Sequence, residues 1–408
     1  MSTEKIKTTL RQLAEKVREI AENPVMDERR KLWYGLNALN PERPMVLCYP
    51  EESWKELITQ SDLTIEQEPY RSWEMRLRRL IYWWENINDD NVLEKWFDIP
   101  WEITVSDFGI KVDVKERKEY GSFSYVNPIT DLRNDFEKLH LRNYTVNRAS
   151  TEKKADMAAD IFGDILPVRI RGTDHFPISI TWEAIKLIGM NNMFLYMYDD
   201  PDILNKLMEF LRDDKISYYK WLESEGILTL NNENDYVGTG GVGYTHELPK
   251  TEEVRSGKVK IKDLWGTSDS QETVGVSPQM FYEFVLKHQI EILNLFGLNC
   301  YGCCEPLHDR WEFVKNIPNL RRVSVSPWCD QEKMSGYLGK NYIFSRKPNP
   351  VLVSVMFDEE EIRKDLRNTL RIAKDNVLEI IMKDVHTVGN EPWRITRWVE
   401  IAKEEVRS

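Results

Sequence analysis

The chain has 408 residues, 41% hydrophobic and 30% charged, a composition typical of water-soluble globular proteins. A net charge of −12 argues against sequence-independent nucleic-acid binding, which requires a basic face, and no apolar run approaches the roughly 18 residues of a membrane span. The opening "MSTEKIKTTLRQLAEKVREIAEN" has no apolar signal-peptide centre, so a cytoplasmic location with reduced cysteines is expected.

That opening segment reads as an amphipathic helix with Ile6, Leu10, Leu13, Val17 and Ile20 on one side, followed by a second helix to about residue 40. "PMVLCYP" (44–50) reads as a buried strand bounded by prolines. Helical patterns follow at 71–86 and 129–139, with strand-like pieces at 101–106 and 110–116. Beyond residue 150 the alternation is cleaner. A helix at 151–163 leads to the strand "LPVRIRG" (166–172), and helices at 181–198 and 201–223 lead to "GILTLNN" (226–232). A serine-capped helix with proline in its first turn (277–296) leads to "LNCYG" (298–302). A helix at 306–317, strands at 321–327 and 341–348, a helix at 358–375, the strand "VLEIIMKDV" (377–385) and a helix at 393–406 complete the chain.

Eight strands alternating with helices predict an α/β fold, a (β/α)8 TIM barrel forming one domain over 1–408, with residues 1–43 as an N-terminal helical extension. In such a fold active-site groups sit just after each strand. There the sequence places Asp174 and His175, then Asn231, Asn232 and Asp235, then Cys303 and Glu305, then Cys329, and finally Asp384 and His386. The glycine-rich "GTGGVGY" (238–244) lacks the lysine and serine of a phosphate loop and reads as a flexible loop near the substrate. "WGTSDSQETVG" (265–275) reads as a polar loop.

Three of the five cysteines crowd into "GLNCYGCCEPLHDRW" (297–311). A structural role, a redox pair and a zinc site compete for them. Adjacent cysteines alternate across a strand, which leaves at most one on a given face. Cys300 with Cys303 forms a CxxC without the helix N-terminus that lowers a thiol pKa. Cys303 and Glu305 share one side of a strand end, and Cys329 and His386 arrive from later strand ends, a donor set that zinc accepts.

The segments "LPVRIRGTDHFPISITWE", "YGCCEPLHDRW", "LRRVSVSPWCD" and "KDVHTVG", in that order, resemble the superfamily of uroporphyrinogen decarboxylase, the zinc-dependent corrinoid methyltransferases and cobalamin-independent methionine synthase. The resemblance covers roughly residues 160–405. In its methyltransferase branch zinc is held by a His-x-Cys at one strand end and a cysteine near the last strand. The resemblance puts Cys303-x-Glu305 and His386 at those places, and Cys329 near the additional ligand of methionine synthase, with ligand types exchanged between positions. The decarboxylase branch carries an arginine-bearing segment after its first strand, where this chain has the acidic and aromatic "PMVLCYPEESW".

The resemblance therefore implies a zinc-dependent methyltransferase of the aryl-ether O-demethylase type. It would move a methyl group from a methoxylated aromatic compound to the Co(I) corrinoid (cobalamin) of a partner corrinoid protein. Cys303, Glu305 and His386 are the expected catalytic and metal residues, with Cys329 as a further ligand. His175, Asn231, Asp235, Tyr244 and Glu272 are expected to orient substrate. A methylcorrinoid:thiol transferase of the coenzyme M type, a uroporphyrinogen decarboxylase-like protein and a non-enzymatic corrinoid-protein binding module are the alternatives. A homodimer is compatible with each.

Overall fold

A computed structural model describes residues 2–114 and 125–408. Helix α1 (Thr3–Ala21) is capped by Ser2 and buries Ile6, Leu10, Ala14, Val17 and Ile20, a three- and four-residue spacing that puts them on one face. Helix α2 (Pro24–Asn37) starts at Asn23, whose side chain accepts from the Val25 amide, with Pro24 in the first turn, where a missing N–H costs nothing. α1 packs against α3 (Tyr70–Tyr82). Among the described residues no helix is long and apolar enough to cross a membrane.

Eight parallel strands organise the rest: β1 (Met45–Cys48), β2 (Phe97–Pro100), β3 (Val168–Arg171), β4 (Trp265–Ser268), β5 (Leu298–Tyr301), β6 (Leu320–Val325), β7 (Ile343–Arg346) and β8 (Val377–Met382). Six form one sheet in the order β1-β8-β7-β6-β5-β4, and β2 pairs with β3 in a second. A single parallel bridge, Pro177 to Thr267, leads from the segment after β3 to β4. The observed architecture is thus mixed α/β with a six-stranded parallel sheet. Its ladders do not themselves close a ring. All six residues of β8 are buried, as expected where both faces of a parallel sheet are covered.

The strand count agrees with expectation, but two members differ. Residues 226–232 form no ladder. Side chains replace it: the Asn231 amide donates to the carbonyls of Asp174 (2.9 Å) and Trp265 (3.1 Å), its oxygen accepts from the Trp265 amide (2.9 Å), and Thr229 Oγ1 accepts from Gly172. The missing strand is β4, "WGTS", whose four residues are all buried although their composition reads as loop. In the N-terminal half the parallel strand is 97–100. Ile103–Val105 instead pairs antiparallel with Tyr144–Val146, and Asp113–Val114 with Tyr125–Val126; residues 115–116 lie outside the described residues. The helix expected over 181–198 is two, α4 (Ile180–Ile188) and α5 (Met190–Asp199), parted at Gly189 with φ +83°. Helix α6 (Pro201–Ser224) follows, and α7 (Gln331–Leu338), between β6 and β7, has no counterpart in the sequence reading.

Residues 238–244, expected as a flexible loop, are packed. Tyr236–Val237 and Gly241–Val242 form a small hairpin lying across one face of the six-stranded sheet. The Val242 carbonyl accepts from Asn37 at the end of α2, and the Gly243 carbonyl from the Trp265 indole (3.0 Å). A Cβ on Gly241 would stand 2.4 Å from the Arg322 guanidinium carbon, so only glycine fits. The glycines here serve close packing, not mobility.

Candidate functional site

The C-terminal ends of β1, β4, β5 and β8 and the start of the hairpin bring a set of polar side chains together. Cys303 and Cys304 lie past the end of β5, in the turn after Gly302. Freed from strand alternation, both thiols come to one side, with Sγ atoms 3.8 Å apart. The Cys304 thiol lies 3.6 Å from Asp384 Oδ2. Asp384 follows β8 with φ +60°, and its amide donates to Glu51 Oε2 (3.1 Å), beyond β1.

Lys383 is a cation held within this site. Its ammonium donates to Tyr236 Oη (3.1 Å) and pairs with Glu51 Oε1 at 3.3 Å. Burial would lower its pKa, but Tyr236, Glu51 and Cys303 outweigh that and hold it above the usual lysine range. The Cys303 thiol is pushed up by Cys304 first and burial second, against an opposing pull from Lys383. At neutral pH Cys303 is therefore a thiol.

Asp269 acts electrostatically on Cys303, and the carboxyls of Glu305 and Glu272 act in turn on Asp269. Asp269 Oδ2 accepts from Ser179 Oγ (3.0 Å), and Glu272 accepts from Thr181 (2.9 Å). Burial raises Asp269 to about 7, and the negative neighbours Glu305 and Glu272 add to the shift. The backbone behind it is fixed: Gln289 donates to the Asp269 carbonyl (2.8 Å) and accepts from Tyr301 Oη (3.0 Å). Asp269 also lines a cavity of about 310 Å³ with Ser179, Trp182, Lys215 and Glu272. That volume is at the small end of ligand sites.

The expected site residues fall into distinct groups. Glu305 is fully buried, and its carboxylate accepts from the amides of Ser270 and Cys303, both at 2.9 Å, tying the loop after β4 to the loop after β5. Cys329 Sγ accepts from the Leu307 amide (3.4 Å), on the main-chain side of Glu305. The His386 side chain is 63% exposed and stands 3.7 Å from Glu52. The quartet Cys303, Glu305, Cys329 and His386 is thus not gathered around one point. Among the described residues no group of three or more His, Cys, Asp or Glu side chains is arranged to hold a metal ion. These residues do not fit zinc as the sequence pattern arranged them.

Of the expected substrate residues, His175 and Glu272 flank the site. The His175 ring meets Tyr236 edge-on at 5.2 Å, and its Nδ1 is buried without a partner; burial lowers its pKa. Asn231 is spent on the bridge to Trp265. Asp235 is held by Arg171 at 2.7 Å and raised by burial to about 6. Tyr244 is buried with its hydroxyl on Glu94. Sequence reasoning passed over Lys383 and Tyr236 and set Cys304 aside. Lys383 had a usable signal, since it directly follows the longest buried strand.

No family model matches the chain, and no curated protein matches it. Among solved structures it is similar to a methyltransferase from Methanosarcina mazei, with 10% sequence identity over 92% of this chain and 97% of that one and a TM-score of 0.52. At that identity the likeness is one of fold.

Proposed function

We propose that the eight strands build a (β/α)8 barrel and that the protein is a methyltransferase. In this reading it takes the methyl group of a methoxylated aromatic compound and passes it to the Co(I) corrinoid of a partner protein. The fold likeness to a methyltransferase and the resemblance of the strand-end segments support the reaction class. The observation that carries the chemistry is Asp269: a carboxyl titrating near 7 on the wall of a cavity that also presents Trp182.

Removing a methyl group from an aryl ether leaves a phenolate, which departs more readily if its oxygen is protonated or met by positive charge. Asp269 is protonated in a large share of molecules near pH 7 and in most below it; Oδ2 accepts from Ser179, which leaves Oδ1 to carry the proton toward the ether oxygen. Lys383 stays charged and supplies a fixed positive potential, anchored by Tyr236 and Glu51. Cys303 offers an S–H group beside them. Trp182 offers a ring face in a cavity sized for one small aromatic molecule. The reduced corrinoid supplies the nucleophile. Because the expected zinc donors are not gathered, no step is assigned to a metal.

The test is methylation of free Co(I) cobalamin with methoxybenzoates, methylamines, methanol and methyl thiols as donors. Turnover of the methoxyaromatics, lost on Asp269→Asn, supports the reading. Turnover confined to another donor, or none in the presence of the corrinoid, overturns it.

A further inference from the structure

A second cavity lies away from the strand-end thiols, along α3. It measures about 670 Å³ and is lined by Arg71, Arg76 and Arg79 together with Trp54, Met75 and Trp83. We propose that it is a binding site for a small aromatic anion, an aryl carboxylate or aryl phosphate. The ring would lie against Trp54 and Trp83, with the anionic group on the arginines.

The hydrogen-bond partners of the three guanidinium groups are carbonyls and the Gln60 side chain, and the carboxylates of Asp98 and Asp174 act on Arg76 only at longer range. Arg71 donates to the Ile65 carbonyl (2.7 Å) and to Gln60. Arg76 donates to the Asp98 carbonyl and lies over the Phe97 ring at 4.3 Å. Arg79 lies over the Trp54 ring at 5.3 Å. Glu68 also lines the cavity, but its carboxylate accepts from the hydroxyl (2.6 Å) and amide (3.3 Å) of Ser72. In a chain with net charge −12, three arginines on one helix held by carbonyls and rings form a local positive site. Burial disfavours the charged form of Arg76 first of all, Asp98 and Asp174 offset only part of that, and an anion from outside would offset the cost that remains. Arginine suits the role, because its planar fork binds carboxylate or phosphate through two parallel N–H groups. The tryptophans select for a flat body. The neighbouring α3 residue Arg78 is spoken for, paired with Glu74 at 2.8 Å.

This site is separate from the strand-end cavity. Trp83 touches Tyr49 edge-on at 5.4 Å, Tyr49 touches Tyr236 at 5.3 Å, and only then comes Lys383. A small ring bound on Trp83 is therefore two aromatic residues away from the thiols.

Calorimetric titration of the full chain with benzoate, phenyl phosphate, inorganic phosphate and cyclohexanecarboxylate tests the proposal without reference to activity. Saturable binding of benzoate or phenyl phosphate is expected, and comparison of the two identifies which anion is taken. Arg79→Gln, at an exposed position, should weaken binding at least tenfold, while Trp182→Ala in the strand-end cavity should leave it unchanged. The proposal is overturned if neither aromatic anion binds, if Arg79→Gln binds as tightly as the parent, or if inorganic phosphate and cyclohexanecarboxylate bind as well as their aromatic counterparts. Sensitivity to Trp182→Ala alone would place the ligand in the strand-end cavity and equally overturn it.

Discussion

Arg322 on β6 and Glu379 on β8 meet at 2.8 Å across the intervening strand β7, with side chains 2% and 0% exposed. Asn37 at the end of α2 accepts from the same guanidinium at 2.6 Å, and Ser345 on β7 donates to the same carboxylate. A buried ion pair contributes little over an apolar pair, but removing one partner strands the other charge. Glu379→Leu is therefore expected to destabilise the fold by about 3–5 kcal/mol, read as a lowered urea midpoint. Arg322→Met combined with Glu379→Leu should recover much of that loss.

The proposed acid gives a pH dependence with a definite sign. Asp269 is protonated below about 7, so methyl transfer should be greatest on the acid side and fall as pH rises through that value. Asp269→Asn should lower kcat by roughly 10²- to 10⁴-fold and flatten that limb of the profile. An unchanged descending limb in the variant would rule out Asp269 as the titrating group.

The same carboxyl affects stability. Its folded pKa lies above its unfolded value, so the folded chain binds the extra proton between about 4 and 7, and stability declines as pH rises through that window. Asp269→Asn removes the charge and should reduce the decline by an amount on the order of 2 kcal/mol. The comparison is thermal unfolding of parent and variant at pH 5 and pH 8.

Glu305 separates a structural carboxylate from a metal ligand. It accepts two backbone amides, so Glu305→Gln sets a side-chain N–H against one of them, at an expected cost of about 1–3 kcal/mol. Metal content measured on parent and variant should not differ. A stoichiometric ion lost on this substitution would restore Glu305 as a ligand.

Lys383→Met tests the cationic side of the site. It removes the ammonium that Tyr236 and Glu51 hold, so methyl transfer should fall by two orders of magnitude or more. The Cys303 thiol loses an opposing positive charge in this variant, so its alkylation by a neutral reagent should slow.

Long apolar strands and helices were legible because burial on both faces leaves a continuous hydrophobic run, as in "VLEIIM", and because a cap such as Ser277, with proline in the first turn, announces a helix start. β4 was not legible, since "WGTS" buries small and polar residues whose partners are remote in sequence. "GILTLNN" misled in the opposite direction, because Asn231 and Thr229 supply with side chains what a ladder supplies with backbone. At the candidate site, strand-end position pointed to the neighbourhood of Cys303, Asp384 and His175, which the structure brings near one another. It could not say which way each side chain turns. The turn after Gly302 carries Cys304 to the same side as Cys303, while Glu305 and Cys329 turn inward to main-chain partners.

The hairpin at 236–242 gives one element two duties. Its glycines seat against Arg322 and Cys300, while its first residue, Tyr236, steadies Lys383. Trimming this segment would therefore disturb both the Lys383 anchor and the seat of the buried Arg322–Glu379 pair. The cavity around Trp182 is lined by other segments, so its wall can be altered without touching the hairpin.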